Sequence, residues 1–253
     1  PSWKPWLKIE HDMSVRCKIS IQRLLFEQPN AVILFKNLSK EISSYFMKNA
    51  SEEGVLISME DKFYDATVEK LTTEAVATIG ENIRPRRFVK YSGSDNSLIH
   101  SYIHMGGKIG VMLEVQSSDK NALKKPEVIE MSDGIAMQIA SMRPDCIDES
   151  SFPQDKLESE KHAFLAQVME MGKPQNIAEK IVEGRIKKFI SENTLLEQSF
   201  VMNGDIKVKD LVKETGKKVG AELKIVRFHR FELGEGIEKK ESNFAEEVAA
   251  QIK

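Results

Sequence analysis

Cysteine is nearly absent from this sequence, with only Cys17 and Cys146 among 253 residues. Neither stands in a CxxC pair or a Cys/His cluster, so both residues read as ordinary thiols of a reducing compartment rather than as a disulfide framework or a metal site. Long apolar runs are missing too. No stretch approaches the roughly 18 to 20 residues that a membrane helix needs, and no basic-then-apolar signal segment opens the chain, so no membrane association is expected. A charge excess is lacking: 37 basic against 39 acidic residues leave a net charge of -2. That balance supplies no overall field for a phosphate backbone, and it speaks against a dedicated nucleic-acid binder. Catalytic signatures are absent as well. There is no GxSxG, no GKS or GKT phosphate loop and no HExxH, so nothing is equipped for nucleophilic, phosphate or metal chemistry.

What is present is an apolar fraction of 41%, enough for one large or two small packed domains. The first residue is Pro1 rather than Met, which reads as a processed or truncated chain. Residues 1 to 34 show no clean period and carry no assignment. From Phe35, the run FKNLSKEISSYFMKN places Phe35, Leu38, Ile42, Tyr45 and Phe46 at helical spacing. A second helix is expected over 60 to 79. RRFVKYSG reads as a strand, and LIHSYIHM and KIGVMLEVQ around Gly106-Gly107 read as a hairpin. EMSDGIAMQIASM is helical, and strand-then-helix occurring twice suggests two related α+β halves.

The second half is patterned more clearly. PQDKLESEKHAFLAQVMEM carries Leu157, Phe164, Leu165 and Val168 on one side. QNIAEKIVEGRIKKFI carries Ile177, Ile181, Ile186 and Phe189. Gly172 suits a left-handed helix end, and Pro174 suits a first helical residue, so 153 to 195 is expected to be an antiparallel helical hairpin. DIKVKDLVKETGKKVGAEL reads as a short helix with Leu211, Val212 and Val219 inward. In KIVRFHRFEL, alternation puts Ile225, Arg227, His229 and Phe231 on one side and Val226, Phe228, Arg230 and Glu232 on the other. A last helix, 243 to 253, stacks Phe244, Val248 and Ile252 in a narrow stripe that needs something to lie on.

Each apparent chemical feature has a blander explanation. His100 and His104 are four apart, but on a strand that separates them by about 13 Å, too far to share a metal. His104, beside the glycine pair, fits a surface contact instead. Gly234-Glu235-Gly236 imitates a dinucleotide loop, but Lys239 stands where the third glycine should be. Arg84, Arg86, Arg87, Lys187, Lys188, Lys217 and Lys218 are interleaved with acids and read as solvated faces. A chain with helical projections, glycine loops and apolar tips but no reactive group most simply acts by binding another protein.

Six blocks then become specific: IGENIRPRR (79 to 87), SYIHMGGKIGVML (101 to 113), GIAMQIASMRP (134 to 144), GKPQNIAEKIVEGRIKKF (172 to 189), LLEQSFV (195 to 201) and RFELGEGIEKKESNFAEEVAAQ (230 to 251). In this order and spacing they resemble bacterial elongation factor Ts. The resemblance implies an α+β fold with two related core subdomains, an inserted antiparallel helical hairpin as a coiled-coil arm, and a C-terminal helix. The division it implies is an unassigned segment 1-34, an N-terminal core subdomain 35-105, a C-terminal core subdomain in two parts, 106-151 and 196-234, the arm 152-195 and a C-terminal module 235-253. It implies a non-enzymatic guanine-nucleotide exchange factor for the GTPase elongation factor Tu in the bacterial cytoplasm. No cofactor, metal, direct nucleotide binding or specific nucleic acid is expected, and self-association through the arm is. Carried over residue by residue, partner contacts fall on Ile79, Gly80, His104, Val201 and Met202, and on Phe244 and Val248 of the last helix. The family's ETDFVAxN, expected before FKNLSKEI, is replaced by EQPNAVIL. Two other readings therefore stay open: a binder of elongation factor Tu that does not exchange, and an RNA-associated factor.

Overall fold

The structure, a computed structural model, describes residues 9–10, 15–22, 29–50, 57–58, 65–80, 84–105, 108–172, 174–232 and 235. Helices and antiparallel strands alternate in an α+β arrangement, as the sequence leads one to expect. The first sheet has the order β1-β2-β4-β3, with β1 Ile9–Glu10, β2 Val15–Gln22, β3 Ile57–Ser58 and β4 Arg84–Ser92. Strand β2 occupies part of the segment left unassigned from sequence, and it pairs antiparallel with β4 from Val15 opposite Ser92 to Gln22 opposite Arg84.

Two helices accompany this sheet. Helix α1, Pro29–Asn49, begins six residues before the Phe35 start that periodicity suggests. Its Leu38, Ile42 and Phe46, four apart, are buried, and Phe46 stacks on Phe88 of β4 with ring centroids 4.2 Å apart. Helix α2, Ala66–Ile79, is shorter than the expected 60 to 79 because Asp65 caps it, accepting from the backbone N–H groups of Thr67 and Val68. Tyr45 donates its hydroxyl to the same Asp65 and ties the two helices together. Gly80 ends α2 with φ 76°, the left-handed conformation that glycine adopts without steric cost.

The second sheet has the order β5-β6-β9, with β5 Ser97–His104, β6 Ile109–Ser117 and β9 Leu223–Glu232. The expected hairpin is present, with His104 opposite Ile109. Central strand β6 is buried on both faces. Val111, Leu113 and Val115 enter the main core beneath α3 (Pro126–Met142) and α6 (Val208–Val219), joined by Met131, Ile135, Ile139, Val208, Val212 and Val219. Met112 turns the other way and packs with Val89, Tyr91, Ile99 and Phe231, a second core between the two sheets.

Strand β9 corrects the simple alternation expected of it. Val115 pairs with Ile225 but Glu114 with Arg227, so Val226 is the extra residue of a bulge. Ile225 and Phe228 therefore both serve the main core. Arg227, His229 and Phe231 face the first sheet, where Arg227 lies 4.3 Å from the Tyr91 ring centroid and donates Nε to Glu114 at 2.6 Å.

The helical hairpin comprises α4, Gln154–Glu170, and α5, Gln175–Asn193. Gly172 takes the expected left-handed conformation at φ 70°. Pro174 stands one residue before α5 rather than as its first residue. The seam is Val168 against Ala178 and Val182, flanked by Phe164, Leu165, Ile181 and Ile186. Ile177, expected on the apolar side, is instead 46% exposed with Met169 and Met171 near the bend. Its neighbour Ala178 takes the inward place, because two helices this close admit a small side chain at the seam. No described helix is long and apolar enough to cross a membrane.

The His229 contact makes stability depend on pH. Tyr91 OH and His229 Nδ1 are 2.7 Å apart. Burial, followed by the Arg227 cation, holds the His229 imidazole below its ordinary value, and burial pushes the Tyr91 hydroxyl up. An unfolded chain takes up the His229 proton near pH 6.5 while the folded chain resists it. This contribution is complete above about pH 6.5 and is lost as pH falls through the lowered folded value. Thermal melts of the wild type should therefore show a falling midpoint as the pH drops below neutrality, and His229→Gln should flatten that slope; an identical slope in both chains would contradict the assignment.

Candidate functional site

Strands β7, Ser199–Phe200, and β8, Asn203–Lys207, form a short antiparallel hairpin whose turn is Val201–Met202. Both turn side chains are exposed, 45% for Val201 and 66% for Met202. An exposed apolar pair at a tight turn needs a rigid support if it is to serve as a contact, and α3 provides it.

Gln138 of α3 is wholly buried. Its Oε1 accepts from the Val201 backbone N–H at 2.6 Å. Its Nε2 donates to Gln198 Oε1 at 3.0 Å and to Ser199 O at 3.1 Å. Gln198 donates its own Nε2 to the Glu192 carbonyl near the end of α5, at 2.8 Å, and its carbonyl receives the Val208 N–H that opens α6. Two buried amide residues, Gln138 and Gln198, thus connect α3, the returning helix, the Val201–Met202 turn and α6.

Two more features fix the same turn. Gly134 of α3 faces Phe200 so closely that a Cβ there would lie 2.7 Å from the ring's Cζ and 3.7 Å from Met202 Sδ. A side chain at 134 would force the Phe200 ring out of its present place against α3. On the far flank, Glu197 accepts from Lys207 and Lys209 at 2.7 Å each. Those hydrogen bonds, from Lys207 first and then Lys209, hold its carboxyl below the usual carboxylate range. Beneath Met202 lies an open cleft of about 450 Å³ between α3 and α6, with Met131, Met137 and Leu211 in its lining and Glu130 and Asp133 also lining it.

The other sequence-derived contact residues are distributed. His104 ends β5, its Nδ1 2.9 Å from the Tyr102 hydroxyl, and is followed by Met105, which is 61% exposed and has φ 49°. His100, on the same face of β5, meets Asp133 of α3 through Nε2 at 2.8 Å, so β5 and the Val201–Met202 turn are braced by successive residues, Asp133 and Gly134, of one helix. The two histidines have different partners, and among the described residues no group of three or more His, Cys, Asp or Glu could hold a metal ion. Ile79 and Gly80 lie elsewhere, at the end of α2, which packs on α1. Phe244 and Val248 lie outside the described residues.

The return from the hairpin is equally well anchored. Asp145 N–H donates to Asn193 O at 2.8 Å, and Leu195 N–H to Cys146 O at 2.9 Å, so the chain entering and leaving the hairpin runs in parallel at its root. Cys146 is a free, buried thiol with Sγ 3.5 Å from Thr194 Oγ1, and burial pushes its pKa up. It is a structural residue of that root.

A family model described as Elongation factor TS matches residues 33–235. The chain belongs to the elongation factor Ts family. It is 45% identical over 219 residues to the elongation factor Ts of Bdellovibrio bacteriovorus, covering 87% of this chain and 71% of that one. It is 45% identical over 185 residues to that of Clostridium perfringens, covering 73% and 59%, and 37% identical over 246 residues to that of Clostridium novyi, covering 95% and 75%. The chain thus spans between about three-fifths and three-quarters of these relatives' own lengths.

Sequence reasoning missed Gln138, Gln198, Gly134 and Asp133 as supports of the turn. One signal was available: Gln138 falls three residues after Ile135 and four after Gly134, placing an amide on the buried face of an otherwise apolar helix. Gln138→Leu, which keeps the volume but removes the amide, leaves the Val201 N–H unpaired. It should cost about 1–3 kcal/mol, a fall of roughly 2–10 °C in the thermal midpoint. An unchanged melt would show that the network carries no stability.

Proposed function

We propose that the chain binds elongation factor Tu and accelerates release of its GDP. The observation that carries this reading is the exposed Val201–Met202 turn, braced by buried Gln138 and Gly134, in a member of the elongation factor Ts family. His104 with exposed Met105, and Ile79–Gly80 at the end of α2, are the further contact points. Phe244 and Val248 complete the set on the segment beyond Glu235.

Exchange of this kind needs no acid, base or nucleophile. A factor that binds the nucleotide-free GTPase more tightly than the GDP-bound form must weaken GDP binding by the same ratio, about 1.4 kcal/mol for each tenfold. The work is done by differential docking, and a preformed turn contributes because less ordering entropy is lost when the partner arrives. The hairpin α4–α5 is an arm that extends this contact surface, and the surrounding segments divide into the N-terminal and C-terminal core subdomains described for the family resemblance.

A second reading has one observation in its favour. EQPNAVIL stands where the family's acidic-aromatic ETDFV wedge is expected, and Pro29 to Leu34 of that stretch lie in helix α1. A chain without the wedge binds the GTPase but leaves GDP in place. The RNA reading is weakened by local pairing: Lys187 with Glu183, Lys188 with Glu192 and Arg87 with Glu235 are ion pairs of the chain itself.

Release of a fluorescent GDP analogue from elongation factor Tu separates these readings. The proposal expects faster release with this chain, and a loss of about 5- to 150-fold in that effect for Val201→Ala/Met202→Ala, corresponding to 1–3 kcal/mol of coupling. Binding by calorimetry with unchanged GDP release would support the non-exchanging reading, and no binding at all would reject both.

A further inference from the structure

Helix α6 borders a second cleft on the side away from the one beneath Met202. This open cleft, of about 590 Å³, lies between α6 and the start of β9, and it shares no lining residue with the cleft between α3 and α6. Its floor is apolar: Val212, Leu223 and Ile225 are buried, and Ile147 and Leu196 are half-buried beside them. Its wall is cationic. Lys209, Lys213 and Lys217 recur at every fourth residue of α6 and so stand on one helix face, and Lys224 lines the cleft from β9.

Of these four cations only the first is engaged. Lys209 donates to Glu197 at 2.7 Å, whereas Lys213, Lys217 and Lys224 are exposed and have no ion-pair partner among the described residues. Lys217 is not needed to cap α6 either, because the last carbonyls are already met: Gly216 O accepts from Ala221 N–H at 3.0 Å, Lys217 O from Gly220 N–H at 3.3 Å and Val219 O from Lys125 Nζ at 2.8 Å. Two acids also line the cleft. Glu222 is exposed, and Asp148 Oδ1 is held by the Ser150 hydroxyl at 2.6 Å and the Ser151 N–H at 3.0 Å. Positive charge therefore dominates the rim. The walls are fixed in advance: a Cβ on Gly216 would lie 2.7 Å from Ala221 O, and Ser118 and Glu222 bond to each other through Ser118 N–H to Glu222 O at 3.0 Å and Glu222 N–H to Ser118 Oγ at 2.9 Å.

We infer that this cleft binds an extended acidic segment of a protein partner in which carboxylates alternate with aliphatic side chains. Charge complementarity sets the sign, and spacing sets the pattern. Lysines four apart on a helix stand about 6 Å apart along its axis, and alternate residues of an extended chain stand about 6.7 Å apart. Two such carboxylates meet Lys213 and Lys217 as Glu197 meets Lys209, and the residues between them turn toward Ile147 and Leu196 on the opposite wall. A nucleic acid fits less well, since the described lining holds no aromatic ring on which a base could stack and no arginine to fork a phosphate. The cleft lies away from the Val201–Met202 turn, so the inference stands independently of the exchange reading.

The test uses the full chain alone and follows the fluorescence anisotropy of a short rhodamine-labelled peptide in which glutamate and leucine alternate. Binding should be saturable, and Lys213→Gln/Lys217→Gln should weaken it about 3- to 30-fold. Lys40→Gln/Lys48→Gln, an exposed pair on α1, should leave it unchanged. All four of these lysines are exposed, so both variants should melt with the wild type. Companion peptides with glutamine for glutamate, or serine for leucine, should each bind at least about tenfold more weakly. No saturable binding, equal losses in the two double variants, or undiminished binding of the serine peptide would each overturn the proposal. A labelled single-stranded oligonucleotide that binds more tightly than the peptide and is lost in Lys213→Gln/Lys217→Gln would overturn it in favour of a nucleic-acid site.

Discussion

The second half of this molecule depends on one buried amide. Gln138 satisfies its hydrogen bonds inside an apolar core by reaching the Val201 N–H, the Gln198 side chain and the Ser199 carbonyl. A buried amide left unpaired costs more than a made bond gains, so this arrangement does not slide: the turn either sits on α3 or the core is penalised. Gly134 acts in the same direction by a different means, since the missing side chain lets Phe200 lie against the helix. Polar satisfaction and steric fit therefore select one position for Val201 and Met202, two exposed apolar residues that would otherwise have no fixed place.

The same frame connects the hairpin to the Val201–Met202 turn. Gln198 holds the end of α5 through the Glu192 carbonyl and the start of α6 through Val208. The entering and leaving strands of the hairpin are bonded to each other at residues 145 to 147 and 193 to 196. A force on the hairpin is thus delivered at its root to the residues that support the turn. On the opposite side of β6, Tyr91, Met112 and Phe231 join the two sheets, so the α2 end with Gly80 and the turn at 201 belong to halves that share a packed interface.

Much of this was legible from residue order. Helical spacing identified the buried faces of α1 and α6, Gly106-Gly107 identified the β5–β6 hairpin, and Gly172 identified the bend of the long hairpin, because each depends on local periodicity or on local backbone preference. The errors fall where tertiary contacts override local pattern. The bulge at Val226 breaks the β9 alternation because strand pairing, not sequence period, decides which face a residue joins. Ala178 replaces Ile177 at the helical seam because close approach selects the small residue. Strand β2 went unassigned because its partner β4 lies more than sixty residues away in the chain. Val201 and Met202 entered the candidate site through family resemblance, while Gln138, which supports them, could be suspected only as a polar residue on an apolar helical face.

The proposed function, differential docking, needs surfaces held in advance, and the Gln138 bond to Val201 is where that requirement is most concentrated. Hydrogen exchange followed by NMR at the Val201 amide reads it directly. The account predicts that this amide, on a residue whose side chain is 45% exposed, exchanges far more slowly than that of exposed Gly204 in the adjoining strand, and that Gln138→Leu brings the two rates together. Equal rates at Val201 and Gly204 in the wild-type chain would contradict it, for the turn would then be free of α3 and the contact edge would not be preformed.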